Sequence, residues 1–243
     1  MPRARMGKRI LITGGTGRSG EAAVRLFSAQ GASVAFFHEE DDGLMLAKET
    51  GSISIRCSSS DYRAVKGAAL VAENYFDGKL DTLICCTDAG GRHAAEDPQG
   101  GDWHRILDEN LSASYYVIHA MVPALLASGR GSIILLSSLT GLRGMPGSAA
   151  MSAVSAGLAG LTRSLARDLG PKGIRVNCIL TGWSEEEAEE LLSEEEREAI
   201  LAATPLGRMA KEEDFVHVMQ FLASEKAGFL TGQVIEVSGG YLL

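Results

Sequence analysis

Short apolar runs alternate along this chain with longer stretches in which apolar positions return every three or four residues. That alternation predicts an α/β fold with a doubly wound parallel sheet. Strands are predicted at residues 9–13, 33–37, 53–57, 82–86, 132–137, 175–180 and 234–237. Helices are predicted at about 18–30, 61–76, 102–127, 148–169 and 211–223, and residues 185–203 are helical by pattern. Neither an internal repeat nor a low-complexity linker interrupts the order, and 243 residues suit one large α/β domain with a substantial core.

Composition narrows the partners. The net charge of −8 argues against nucleic acid, which calls for a basic face. With 45% hydrophobic and 22% charged residues, a mean hydropathy of +0.06 and no apolar run of the ~18–20 residues that a span needs, no membrane is expected as a partner. The basic start leads straight into Ile10-Leu11-Ile12 without the apolar stretch of a secretory signal, so a cytoplasmic location is expected. Cys57, Cys85, Cys86 and Cys178 show no metal-ligand spacing, so no metal is expected, and they read as small core residues. Cys85 and Cys86 are adjacent on a strand and should face opposite ways, which argues against a redox pair. Between Glu185 and Glu198, nine glutamates face a single arginine, Arg197. The segment reads as the solvated face of surface helices, or as an electrostatic face for a partner.

Chemistry enters with Gly131 to Ser138 (GSIILLSS), Met151-Ser-Ala-Val-Ser155 and Gly173-Ile-Arg-Val-Asn177. To these the C-terminal part adds Pro205-Leu-Gly-Arg208, Phe221-Leu-Ala-Ser224, Phe229-Leu-Thr-Gly-Gln233 and Val237-Ser-Gly-Gly240. Together they resemble the short-chain dehydrogenase/reductase family over nearly the whole chain. The resemblance implies a single Rossmann-like domain over residues 1–243, with a helical lid at about 183–210. It also implies a nicotinamide cofactor and a catalytic serine, tyrosine and lysine. Met151 and Ser155 stand at the tyrosine and lysine positions. A thioether has no proton to give and a serine no positive charge, so neither role is filled. Ser138 and Asn110 remain at the family positions of the catalytic serine and the helix asparagine. Ser138 can hydrogen-bond a carbonyl and Asn110 can hold a water, or the two can be structural, Asn110 at an irregular point of its helix. The enoyl-reductase variant, with its tyrosine displaced, fails too, because Ser148 stands at that place.

Thr13 to Gly20 (TGGTGRSG) follows the first strand and opens a helix, the context of a phosphate-binding glycine loop. Gly14, Gly15, Gly17 and Gly20 are the candidate cofactor contacts, although Arg18 replaces a glycine of the classical pattern. A glycine-rich turn also serves simply to fold strand onto helix, and both readings stand. At the end of the second strand lies His38-Glu39; His38 can reach a ribose or sit in a solvated loop, and Glu39 would repel an NADP phosphate. Family positions for adenine, for the turn after the fourth strand and for the Pro-Gly after the sixth read Ser58, Cys85 to Asp88 (or Thr87 to Gly90) and Thr181-Gly182. No bound cofactor is expected, or NAD if any.

The resemblance implies that the helices at 102–127 and 148–169 join subunits. Residues 148–160 keep a run of small side chains while the active site has lost its chemistry. The function expected is a non-catalytic subunit of a hetero-oligomeric NAD-dependent dehydrogenase, partnered by an active family member that acts on a substrate such as a hydroxyacyl-CoA. An enzyme with altered catalytic residues and a dinucleotide-binding sensor are the alternatives.

Overall fold

Seven parallel strands in the order β3-β2-β1-β4-β5-β6-β7 form the centre of the computed structural model, which describes residues 7–39, 43–86 and 102–241. They are β1 Arg9–Thr13, β2 Ser33–His38, β3 Ile53–Arg56, β4 Thr82–Cys85, β5 Gly131–Ser138, β6 Ile174–Thr181 and β7 Val234–Val237. The order reverses between β1 and β4, and in such sheets ligands bind outside the carboxyl ends of the strands at that reversal.

Successive strand side chains point to opposite faces, so each strand feeds two cores. Leu11, Ala35, Phe37, Leu83, Ile133, Leu135 and Cys178 face α3 Tyr62–Tyr75, α5 Ala113–Ser128 and α7 Ala149–Leu169. Ile10, Ile12, Phe36, Ile84, Ile134 and Ile179 face α1 Arg18–Ala29, α2 Gly43–Thr50 and α10 Glu212–Ala223. Cys85 belongs to the first core and Cys86 to the second, so the adjacent thiols are separated by the sheet.

Three features depart from the sequence reading. The helix α2 has no counterpart in it. The long helix at 102–127 is broken into α4 Trp103–Leu107, a π-helical turn Asp108–Ser112 and α5. A short helix, α6 Leu139–Arg143, follows β5 at once. The run Trp103–Ser128 is long and apolar enough to cross a membrane, yet Val117, Ile118, Met121, Ala124 and Leu125 pack into the core beneath the sheet, as a core helix does.

The helical insertion divides into α8 Glu185–Leu191 and α9 Glu194–Ala202. Serine oxygens accept from first-turn amides at both starts, Ser184 from Glu187 and Ser193 from Glu196, and the Glu196 carboxylate accepts from the Ser193 amide in return. Trp183, Ala188, Leu192, Ile200 and Met209 give the insertion a small core of its own, against which Met145 and Tyr241 pack.

Candidate active site

The glycine loop leaves β1 at its carboxyl end. Gly14 has φ +59°, and a Cβ there would stand 2.7 Å from the Cys86 carbonyl oxygen. At Gly15 it would strike the Phe36 ring at 2.5 Å, and at Gly20 the Gly14 oxygen at 1.9 Å. These three glycines are therefore required by the packing of loop and helix, whatever else they do. Gly17 is the N-cap of α1, with no side chain to satisfy the first-turn amides. The Arg18 guanidinium pairs with the Glu190 carboxylate of α8, and the Ser19 hydroxyl donates to Glu212 at 2.5 Å. Carboxylates of the chain itself thus stand at the helix end toward which dinucleotide phosphates would come.

His38 is corrected by the structure. It is the last residue of β2 rather than part of a solvated loop, and it is 6% exposed. Its ring lies 5.8 Å from that of Phe36, and a Cβ on Gly43 would lie 2.6 Å from it, so the start of α2 covers it. Beside it Glu39 accepts from the Ser59 amide at 3.1 Å. Ser58 is half-buried with its hydroxyl 3.1 Å from that of Ser60. Thr87 to Gly90 and His93 lie outside the described residues.

Of the expected catalytic positions, Ser138, Met151 and Ser155 lie on β5 and α7, which pack against each other and against α6, whereas Asn110 lies in the π-helical turn. Ser138 ends β5, half-buried, in register with Thr181 of β6. Asn110 is fully buried in the π-helical turn, where its side-chain amide donates to the Ile106 carbonyl at 2.7 Å. Its own carbonyl accepts from the Ser114 hydroxyl at 2.7 Å, so this stretch carries the irregular point of the helix. Met151 lies on the first turn of α7, packed against the core.

Ser155, one turn on, is fully buried, and the Ser137 hydroxyl donates to it at 2.9 Å. Gly141 of α6 presses on the same atoms. A Cβ there would be 2.0 Å from the Ser155 Oγ and 2.3 Å from its Cβ. Ser155 thus meets the Ser137 hydroxyl on one side and the backbone of α6 on the other. Ser137 entered the sequence reading only as part of the serine pair that ends the strand motif, and Gly141 did not enter it.

Tyr115, Tyr116 and His119 of α5 form an aromatic cluster with Tyr62 of α3 on the outer face, and His104 is exposed on α4. Tyr241, not singled out before, packs against both the lid core and the core beneath the sheet. After β6 the Gly182 amide donates to the Val237 carbonyl at 2.9 Å, and a Cβ on Gly182 would stand 2.9 Å from the Ser238 Cα. The thiols are held protonated by burial, which pushes Cys85 and Cys178 up to about 12 and Cys57 up to about 11.

A family profile described as enoyl-(acyl carrier protein) reductase matches residues 18–242. The chain belongs to the short-chain dehydrogenase/reductase family. It is 32% identical to the 3-oxoacyl-[acyl-carrier-protein] reductase FabG of Rickettsia conorii over 241 residues, 98% of each chain. The FabG of Thermotoga maritima is likewise 32% identical, over 246 residues and 98% of each chain. A (3R)-3-hydroxyacyl-CoA dehydrogenase of Rattus norvegicus is 37% identical over 143 residues, 58% of this chain and 55% of its own. Among solved structures, the TT0495 protein of Thermus thermophilus superposes with a TM-score of 0.89 at 29% identity, covering 98% of this chain and 99% of that one.

Proposed function

We propose that this chain is a non-catalytic subunit of an NAD-dependent dehydrogenase, paired with an intact family member that supplies the tyrosine, the lysine and the cofactor. The observation that carries the reading is the burial of Ser155 against Ser137 and Gly141. With a methionine at the tyrosine position and a buried serine at the lysine position, no described residue at the β5–α7 junction supplies the proton that carbonyl reduction requires. Ser138 retains a hydroxyl that can donate to a carbonyl oxygen, which positions a substrate but does not reduce it.

The residues at the loop do not fit a dinucleotide in this arrangement. Glu190 and Glu212 stand at the amino end of α1, where phosphates would need uncompensated amides, and Glu39 is exposed at the end of β2. NAD is therefore assigned to the partner. The whole-length likeness to 3-oxoacyl reductases supports a 3-oxoacyl or 3-hydroxyacyl thioester as the substrate of the pair, a hydroxyacyl-CoA among them. As a paired dehydrogenase with one inactive family subunit, 2-[hydroxy(phenyl)methyl]succinyl-CoA dehydrogenase is the arrangement to compare. The same likeness favours, as a second reading, an oxidoreductase with altered catalytic residues.

The contact with the partner is assigned to α5 and α7. Not all the small residues of α7 are free for it, because Ser155 packs on α6 and Gly157 on Leu111. Ala156 and Gly160 are exposed, and Gly160 shares a groove of about 540 Å³ with Leu111, Tyr115, Tyr116 and Leu161. Co-expression with an intact family member followed by size-exclusion chromatography tests the assignment. The two chains should co-elute, and Ala156→Arg, which meets solvent in the isolated chain, should separate them. A homo-oligomer that ignores every intact family member would leave the altered-enzyme reading.

A further inference from the structure

We infer that the lid is latched to the glycine loop by charges of the chain itself, with Arg18–Glu190 as the latch and Ser19–Glu212, from the neighbouring α10, beside it. Two oddities of the sequence explain each other here. Arg18 interrupts the classical glycine pattern of the loop, and the lid is crowded with glutamates. The structure brings these features together across 172 positions of sequence, with the guanidinium at the first residue of α1 and the carboxylate near the end of α8. The Ser19 hydroxyl, on the next residue, meets the Glu212 carboxylate at the first residue of α10. A cavity of about 540 Å³ lies beside these contacts, lined by Thr16, Arg18, Glu186, Glu212, Glu213 and His217.

The end of α1 favours negative charge, because its first amides lack helical acceptors and Gly17 offers no capping side chain. Glu190 of the lid and Glu212 of α10 bring that charge to it. The lid folds on its own core around Trp183, so the latch sets where α8 lies rather than whether it forms. With side-chain exposures of 32% and 61% the pair is solvated, so it should act as a reversible, salt-sensitive clasp and not as a structural rivet. A dinucleotide would have to displace Glu190 and then approach Glu186 and Glu213. That consequence deepens the assignment of NAD to the partner and rests on it, whereas the latch stands on the contacts alone.

Hydrogen exchange of the full chain at low salt tests the latch in Arg18→Gln, Glu190→Gln and the double variant. Each single variant should speed exchange of the α8 amides by about two- to fivefold, the scale of an exposed ion pair. The double variant should add nothing to the larger single effect, and the swapped pair Arg18→Glu with Glu190→Arg should restore protection. Unchanged exchange in the singles, or additive effects in the double, would overturn the latch. NAD titration by calorimetry of Glu190→Gln with Glu212→Gln addresses the consequence separately. Binding tighter than in the parent supports exclusion by the latch, and loosening of α8 without tighter binding overturns the exclusion while leaving the latch.

Discussion

Ser155→Lys introduces the residue that the resemblance to the family implies at this position, and the burial of Ser155 predicts that the chain will resist it. Ser155 is fully buried, and Gly141 comes so close that even a single carbon added there would lie 2.0 Å from the serine oxygen. A lysine adds three heavy atoms at this fully buried position beside the Ser137 hydroxyl and the α6 backbone, and overpacking of this kind costs about 1–3 kcal/mol. The Ser137 hydroxyl also loses the acceptor it holds at 2.9 Å, which costs about 1 kcal/mol more. A buried ammonium adds several kcal/mol unless the amine deprotonates. The expected loss is therefore about 3–6 kcal/mol, a large part of the roughly 5–15 kcal/mol that holds a domain together. Urea unfolding followed by the fluorescence of Trp183, which is buried, measures it. Ser155→Ala is the control, with an expected loss of about 1 kcal/mol. Because the unfolded state binds the lysine proton more readily, the deficit of Ser155→Lys should shrink as pH rises toward the ordinary lysine range. A lysine variant within about 0.5 kcal/mol of the parent, below the cost of even one of these effects, would refute this reasoning.

Two further outcomes follow from burial and charge. The Cys85 and Cys178 thiols, pushed up to about 12 by burial, leave on the order of one thiolate in 10⁴ at pH 8, so a thiol reagent should label them only in urea. The Arg208 guanidinium, 2.7 Å from Asp214, holds that carboxyl down at about 2. Its contribution to stability is complete above the ordinary aspartate value of about 3.9 and is lost as pH falls through about 2. Asp214→Asn should then differ from the parent in acid unfolding above pH ~4 and converge with it toward pH ~2.

The strands were legible because each is a short apolar run between turn signals, and Cys85 and Cys86 were read correctly because adjacent strand residues must face opposite ways. Five-residue α6 and glycine-started α2 were not, since neither is long enough to show a helical period. His38 was misread for a related reason: its burial is set by the Gly43 backbone of that unseen helix. Met151 and Ser155 stood out in the sequence, but the contacts of Ser155 with Ser137 and Gly141 are a matter of tertiary packing. Similarly the acidic lid reads as a solvated face, and most of it is, yet Glu190 finds Arg18 through a contact that no local pattern announces.

In the proposed pairing, carbonyl reduction is done by the partner and not by this chain. Oxidation of NADH or NADPH with a 3-oxoacyl thioester, followed for the isolated chain and for the same chain co-purified with an intact family member, tests it most directly. The isolated chain should show no turnover, and the pair should show turnover that disappears when the partner's catalytic tyrosine is replaced. Steady turnover by the isolated chain would contradict it.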